Sequence, residues 1–95
     1  MTYAKRADAN QAEITAALRR VGASVQPLHT VGKGCPDLLV GFRGSNFILE
    51  VKDGAKSASR QKLTPDEAQW HAMWRGQVLI VCNTSEALAA IGATT

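Results

Sequence analysis

Pro36-Asp37-Leu38-Leu39-Val40-Gly41-Phe42-Arg43-Gly44-Ser45-Asn46-Phe47-Ile48-Leu49-Glu50-Val51-Lys52 is the stretch on which the fold turns. It reads as two strands, Asp37–Arg43 and Asn46–Lys52, joined at Gly44-Ser45. A two-residue hairpin loop with glycine first predicts a type II′ turn. Pairing Arg43 with Asn46 gathers Leu38, Val40, Phe42, Phe47, Leu49 and Val51 on one face. Asp37, Leu39, Gly41, Ile48, Glu50 and Lys52 share the other, because side chains alternate along a strand. The first face is continuously apolar and belongs in the core. The second is apolar near the turn and charged at its far end, where this pairing sets Asp37 opposite Lys52 and diagonal to Glu50.

The flanks complete an α/β pattern. Ala7 to Val21 predicts a helix, with Ile14, Ala17, Leu18 and Val21 as its apolar stripe and Gly22 as its stop. Val25 to Leu28 predicts a short strand that Pro27 keeps at an edge, and His29 to Pro36 a loop. After a polar loop from Asp53 to Lys62, Thr64-Pro65-Asp66-Glu67 is a strong helix start: Thr64 as N-cap, Pro65 at N1, Glu67 at N3. That helix is expected to run to about Arg75, ended by Gly76, with Trp70, Met73 and Trp74 at core spacing. Gln77 to Cys82 is nearly continuously apolar and predicts a central strand buried on both faces. Thr84 or Ser85 then caps a short helix carrying Ala87, Leu88 and Ile91. The order is α-β-β-β-α-β-α: a mixed central sheet flanked by helices, with a short C-terminal helix.

The 95 residues fall well below the roughly 150 expected per domain, so residues 1–95 are read as a single domain. Hydrophobic residues at 45% and charged residues at 20% exclude a disordered chain. No apolar run is long enough to cross a bilayer, and the opening residues lack a secretory apolar core. Two cysteines make no disulfide framework, which places the chain in a reducing cytoplasm. A net charge of +3 hints at a polyanionic partner. Lys56, Arg60 and Lys62 fall within seven residues that contain no acid, either a solvated loop or an arm that contacts phosphates. Gly32-Lys33-Gly34 lacks P-loop spacing; it shapes the loop before Asp37, with Lys33 near nucleic acid, or is plain flexible loop. Cys35, Cys82, His29 and His71 contain no pair with zinc-ligand spacing.

The charged end of the hairpin carries the chemistry. Two carboxylates at a strand end can hold a divalent cation through oxygen. A lysine beside them can orient a water or stabilise charge on a phosphate. Val51 points into the core, which leaves its carbonyl for a further ligand. The bland alternative is an ion pair, with Lys52 neutralising Asp37 and Glu50 at a sheet edge. Against it, Leu39 and Ile48 on the same face imply partial cover, where charge is costly without a task or a metal.

Pro36-Asp37 followed by Glu50-Val51-Lys52 resembles the PD-(D/E)XK nuclease motif, and the element order resembles the αβββαβ core of that superfamily. The finer resemblance is to the virus-type replication-repair nuclease (VRR-NUC) family. It rests on Gly34-Cys35-Pro36-Asp37-Leu38-Leu39, on Ile48-Leu49-Glu50-Val51-Lys52, and on Leu63-Thr64-Pro65 leading to Trp70. Gly76 ahead of Val78–Val81 and the closing helix also fit, so the resemblance spans nearly the whole chain.

The resemblance implies an Mg²⁺- or Mn²⁺-dependent endodeoxyribonuclease. Asp37, Glu50, the Val51 carbonyl and a first-helix glutamate, matched by Glu13, would hold the metal, and Lys52 would position the water or the scissile phosphate. The family's glutamine after the Leu-Ser/Thr-Pro start is replaced by Glu67, with Gln69 the only glutamine nearby. Both are candidates near the site, and capping explains Glu67 equally well. Lys33, Lys56, Arg60 and Lys62 would grip DNA. The resemblance further implies branched DNA such as four-way (Holliday) junctions, a role in DNA repair, a homodimer, and a bacterial or phage-infected cytoplasm. The alternatives are an inactive nucleic-acid-binding module of the same fold, a nickase or flap nuclease, or a nuclease directed at RNA.

Overall fold

The computed structural model describes residues 10–54 and 62–93. Among these residues the elements run α1 (Gln11–Arg20), β1 (Ser24–Pro27), β2 (Leu38–Phe42), β3 (Ser45–Val51), α2 (Pro65–Met73), β4 (Leu79–Val81) and α3 (Thr84–Ala90). This is the α/β order expected from the sequence. The strands form one sheet in the order β1-β2-β3-β4. It is mixed: β1–β2 and β2–β3 pair antiparallel, whereas β3–β4, linked through α2, pair parallel.

Helix α1 buries Gln11, Ile14, Ala17 and Leu18. It closes with Gly22 at φ +96, where Ala23 N–H reaches Leu18 O at 3.1 Å and Gly22 N–H reaches Arg19 O at 3.0 Å. That is a Schellman cap, and it turns the chain directly into β1. Helices α1 and α3 cover the apolar sheet face. The core is Ile14, Leu18, Leu38, Val40, Leu49, Val51, Val81, Ala87 and Ile91, all nearly solvent-free. Truncating one of its large members, such as Leu38 or Leu49, is expected to cost about 2–5 kcal/mol. No helix among the described residues is long and apolar enough to cross a membrane.

The hairpin differs from expectation in its turn. Phe42 pairs with Ser45, so the loop is Arg43-Gly44 rather than Gly44-Ser45. Both loop residues take positive φ, 50° and 81°, as a type I′ turn requires. The Arg43 guanidinium lies over the Phe42 ring at 4.7 Å, a cation–π contact that helps offset its left-handed backbone. The register therefore slides by two residues. Every side chain keeps its predicted face, but extension of the ladder now sets Asp37 opposite Glu50 instead of Lys52.

Three further expectations are corrected. Strand β4 pairs only with β3 among the described residues and lies at the sheet edge, with Ile80 48% exposed. Its apolar run buries Val81 in the core while Ile80, opposite Glu50, faces outward. Helix α2 stops at Met73, because Trp74 turns extended at ψ 128°. Met73 and Trp74 are 69% and 45% exposed rather than core. The cause is that α2 covers the charged end of the sheet, leaving its own apolar stripe no apolar face to meet. Finally, Asn83 rather than Thr84 or Ser85 caps α3, accepting from Glu86 N–H at 2.8 Å.

Candidate active site

The loop before β2 and the first turn of α2 are locked together. Gly34 sits at φ +80, and a Cβ there would collide with the backbone carbonyl of Asp66. The segment that delivers Asp37 is thereby fixed against the helix that delivers Glu67 and His71.

Asp37 is 5% exposed and is gripped on three sides. Its N–H donates to Leu49 O at 3.1 Å, and its carbonyl accepts from Leu28 N–H at 2.7 Å. Its Oδ2 accepts the Val51 N–H at 2.8 Å. The carboxylate thus takes a backbone donor where regular pairing has stopped, and its direction is set by the strand that carries Glu50. The Val51 side chain lies in the core as expected.

Glu50 is 1% exposed, the most buried acid among the described residues. Burial first, then a hydrogen bond and the charge of Asp37, then the charge of Glu67, push its pKa up to about 9 against the pull of Lys52. With no cation present it carries a proton at neutral pH. His71 Nε2 lies 3.4 Å from its Oε1. Burial holds the His71 pKa below its ordinary value, which favours the neutral imidazole.

Lys52 is also buried, with Nζ 2.7 Å from Glu67 Oε1. Its backbone N–H donates to Val81 O at 2.9 Å, which anchors the end of β3 on β4. Asn10 Nδ2 bridges the carbonyls of Lys52 at 3.1 Å and Cys82 at 3.0 Å, tying the start of α1 to both strand ends. The sequence does not single out Asn10, and it raises His71 as one of four Cys and His residues without zinc-ligand spacing, not as a partner of Glu50. For His71 the signal was present: it follows Glu67 by four residues and so shares its helix face.

The predicted set is only partly brought together. Asp37, Glu50, Lys52 and Glu67 converge. Glu13 is exposed and lines a depression of about 270 Å³ with Asn10, Asp53 and Asn83. The helical phase that buries Ile14 and Leu18 turns Gln11 inward instead, and its buried Oε1 finds no hydrogen-bond partner among the described residues. Gln69 is exposed, with its Nε2 3.9 Å from Met73 Sδ. Lys33 and Lys62 are exposed, and Lys56 and Arg60 lie outside the described residues.

Among the described residues no three His, Cys, Asp or Glu side chains form a cation cage. The donors present still fit a hard divalent cation. Two carboxyls buried against each other need either a shared cation or a proton on one of them, and the raised pKa of Glu50 reports that need. Mg²⁺ typically takes only one or two carboxylates and fills its remaining positions with water and substrate phosphate.

No protein-family profile matches the chain, and no curated protein matches it. A solved structure described as a VRR_NUC domain is similar, with 25% sequence identity, a TM-score of 0.60, and coverage of 82% of this chain and 89% of that one.

Proposed function

Because the chain shares its fold with a VRR-NUC domain, we propose that it is a metal-dependent DNA endonuclease whose active site is Asp37, Glu50 and Lys52. The observation that carries this reading is the burial of two carboxyls and a lysine at one strand end, each fixed by named partners. Buried charge of this kind is costly unless it has work to do.

Asp37, Glu50 and the Val51 carbonyl would hold Mg²⁺ or Mn²⁺. When bound, the ion would lower the pKa of a water and neutralise charge that builds on the phosphate. The Val51 N–H keeps Asp37 aimed. Glu67 holds the Lys52 ammonium in one position, from which it steers the water or a phosphate oxygen. Neutral His71 borders Glu50 and orients that carboxyl. Exposed Lys33 and Lys62, with Lys56 and Arg60, would contact the DNA backbone, so binding depends steeply on salt.

Branched DNA is the proposed substrate and a homodimer the proposed assembly. Exposed Leu39 and Ile80 support the dimer, as apolar surface on the sheet that a second copy would cover. A cleavage assay on linear, flap and four-way DNA, with Mg²⁺, Mn²⁺ or EDTA, tests the activity and its preference. Cleavage that persists in EDTA, or an absence of cleavage with either metal, overturns the reading. Light scattering tests the dimer: a mass near the 10.1 kDa of one chain overturns it.

A further inference from the structure

Resting on the nuclease reading, and on a cavity which that reading leaves unused, we propose that the chain receives an unpaired nucleobase of its substrate between Lys33 and the indoles of Trp70 and Trp74. The cavity measures about 500 Å³ and is lined by Lys33, Asp66, Gln69, Trp70, Met73 and Trp74. That size is within the ordinary range for small-molecule sites.

The indoles form a rigid platform. Their centroids are 4.6 Å apart and their planes 16° from parallel. Trp74 N–H donates to Trp70 O at 3.0 Å, and Gly76 passes so close that a Cβ on it would come 2.9 Å from Trp74 Nε1. The rings stack on one another with the Gly76 backbone close against Trp74, yet Trp74 stays 45% exposed and Met73 69%. A fixed aromatic surface left in water is what sequence-tolerant base stacking uses.

The polar lining says which occupant fits. Lys33 offers a cation to a phosphate, Asp66 accepts from a ring N–H or an exocyclic amine of a base, and the Gln69 amide can meet either kind of base edge. A nucleotide presents that same mixture: a flat apolar body, polar edges and one anionic group. An apolar protein surface leaves all three polar groups unmatched.

Location ties the cavity to the chemistry. Lys33, at φ 54°, stands between Gly32 and Gly34 in the loop that leads into Asp37. Trp70 stands on the helix whose Glu67 and His71 touch Lys52 and Glu50. The cavity and the active site therefore share the same loop and the same helix. DNA with an unpaired base beside the cut, as in a flap or an open junction centre, fills the cavity directly, whereas blunt duplex must first unstack.

The chain has only two tryptophans, and both line the cavity, so tryptophan emission, excited at the red edge where Tyr3 does not absorb, reports on this site. In EDTA, which removes cleavage, a short oligothymidylate is expected to quench that fluorescence. Trp74→Ala should weaken oligothymidylate binding about 5- to 150-fold, the worth of one base stack. Trp74→Phe should keep most of the affinity, and blunt-duplex binding should not change. Met73→Ala, which removes a wall of the cavity without touching the stack, should weaken oligothymidylate binding in the same direction. Absence of quenching overturns the proposal, as does equal weakening on both DNAs in a variant that melts like wild type. A dimer that falls apart in Trp74→Ala also overturns it, by assigning the indoles to a second copy. Metal-dependent cleavage is measured separately, so a failure of the cavity proposal is distinguished from a failure of the nuclease reading.

Discussion

Glu67 Oε1 accepts two hydrogen bonds at once, from Lys52 Nζ at 2.7 Å and from Thr64 N–H at 2.8 Å. Glu67 N–H in turn donates to Thr64 Oγ1 at 3.2 Å, which completes a capping box. The residue that starts α2 is therefore also the residue that fixes the lysine of the active site. Glu67→Gln keeps an oxygen for the cap but removes the charge facing Lys52. It is expected to fold with a small loss of stability and to cut DNA poorly. Glu67→Ala loses both partners and leaves a buried ammonium without its carboxylate, a change that costs about 3–5 kcal/mol. Thermal melts and cleavage rates on the two variants separate capping from positioning. Equal loss of stability in both would argue that the fold depends on the charge facing Lys52 and not on the oxygen lent to the cap.

Asp37→Asn tests the metal. An asparagine oxygen can still accept the Val51 N–H, so the hairpin should survive and the melting temperature should stay close to wild type. Cleavage should fall on the order of a hundredfold or more, as when electrostatic stabilisation of a transition state is removed. Mg²⁺ should raise the melting temperature of wild type and not of the variant. A variant that cuts at the wild-type rate removes Asp37 from the site.

Much of this geometry was legible in the sequence, and the exceptions have physical causes. The two hairpin faces came out right because strand side chains alternate strictly, and a register slide of two residues leaves every side chain on its face. The partner of Asp37 came out wrong because Gly44 reads as the first turn residue. It is the second, and nothing in the sequence announces that Arg43 takes a left-handed backbone. The near-continuous apolar run of β4 looks the same for a central strand and for this edge strand, whose outer face is left open at Ile80. Trp70 and Trp74 have core spacing, but spacing cannot say what the opposite surface is made of. Glu67 is visible as a departure from the family's glutamine. Its two roles look like competing explanations in the sequence, and only the fold shows one oxygen serving both.

Glu13 offers a sharp contrast with Asp37. It matches the expected first-helix glutamate, yet it is exposed beside Asp53 and Asn83 rather than facing Glu50. Glu13→Gln should reduce cleavage far less than Asp37→Asn does, by less than about tenfold, and should leave the Mg²⁺-induced rise in melting temperature in place. A loss as deep as that of Asp37→Asn would mean that α1 turns its glutamate inward when the ion binds.

Lys62, with Lys56 and Arg60, should set the salt dependence of binding. Each side chain that grips a phosphate should, once neutralised, reduce the slope of log affinity against log salt by roughly 0.9. The effect should be the same on linear and branched DNA, because phosphates carry no information about sequence. An unchanged slope in the triple-alanine variant would mean that the three side chains stand in solvent.

Glu50 makes the metal-free protein sensitive to alkali. Its folded pKa of about 9 lies above its ordinary value of 4.5, so over that interval the folded state holds a proton that the unfolded chain has released. The stabilisation is complete below the ordinary value and is lost as pH rises toward about 9. His71 acts in the opposite sense: its pKa is lowered on folding, so its contribution is lost as pH falls through the histidine range. Between about pH 7 and 8 only Glu50 acts, and toward pH 9 the Cys82 thiol, pushed up by burial, adds to it in the same sense, so the Glu50→Gln comparison separates the two. Melting temperature in EDTA should fall steadily across that window, and Glu50→Gln should flatten the slope and melt several degrees higher at its alkaline end. A divalent cation selects the ionised carboxylate, so its binding should release a proton and should tighten as pH rises to about 9. Calorimetry in buffers of different ionisation enthalpy counts that proton. No proton release, or a wild-type melting temperature that is flat from pH 7 to 9, would mean that Glu50 is already ionised and that its burial against Asp37 is compensated without a metal.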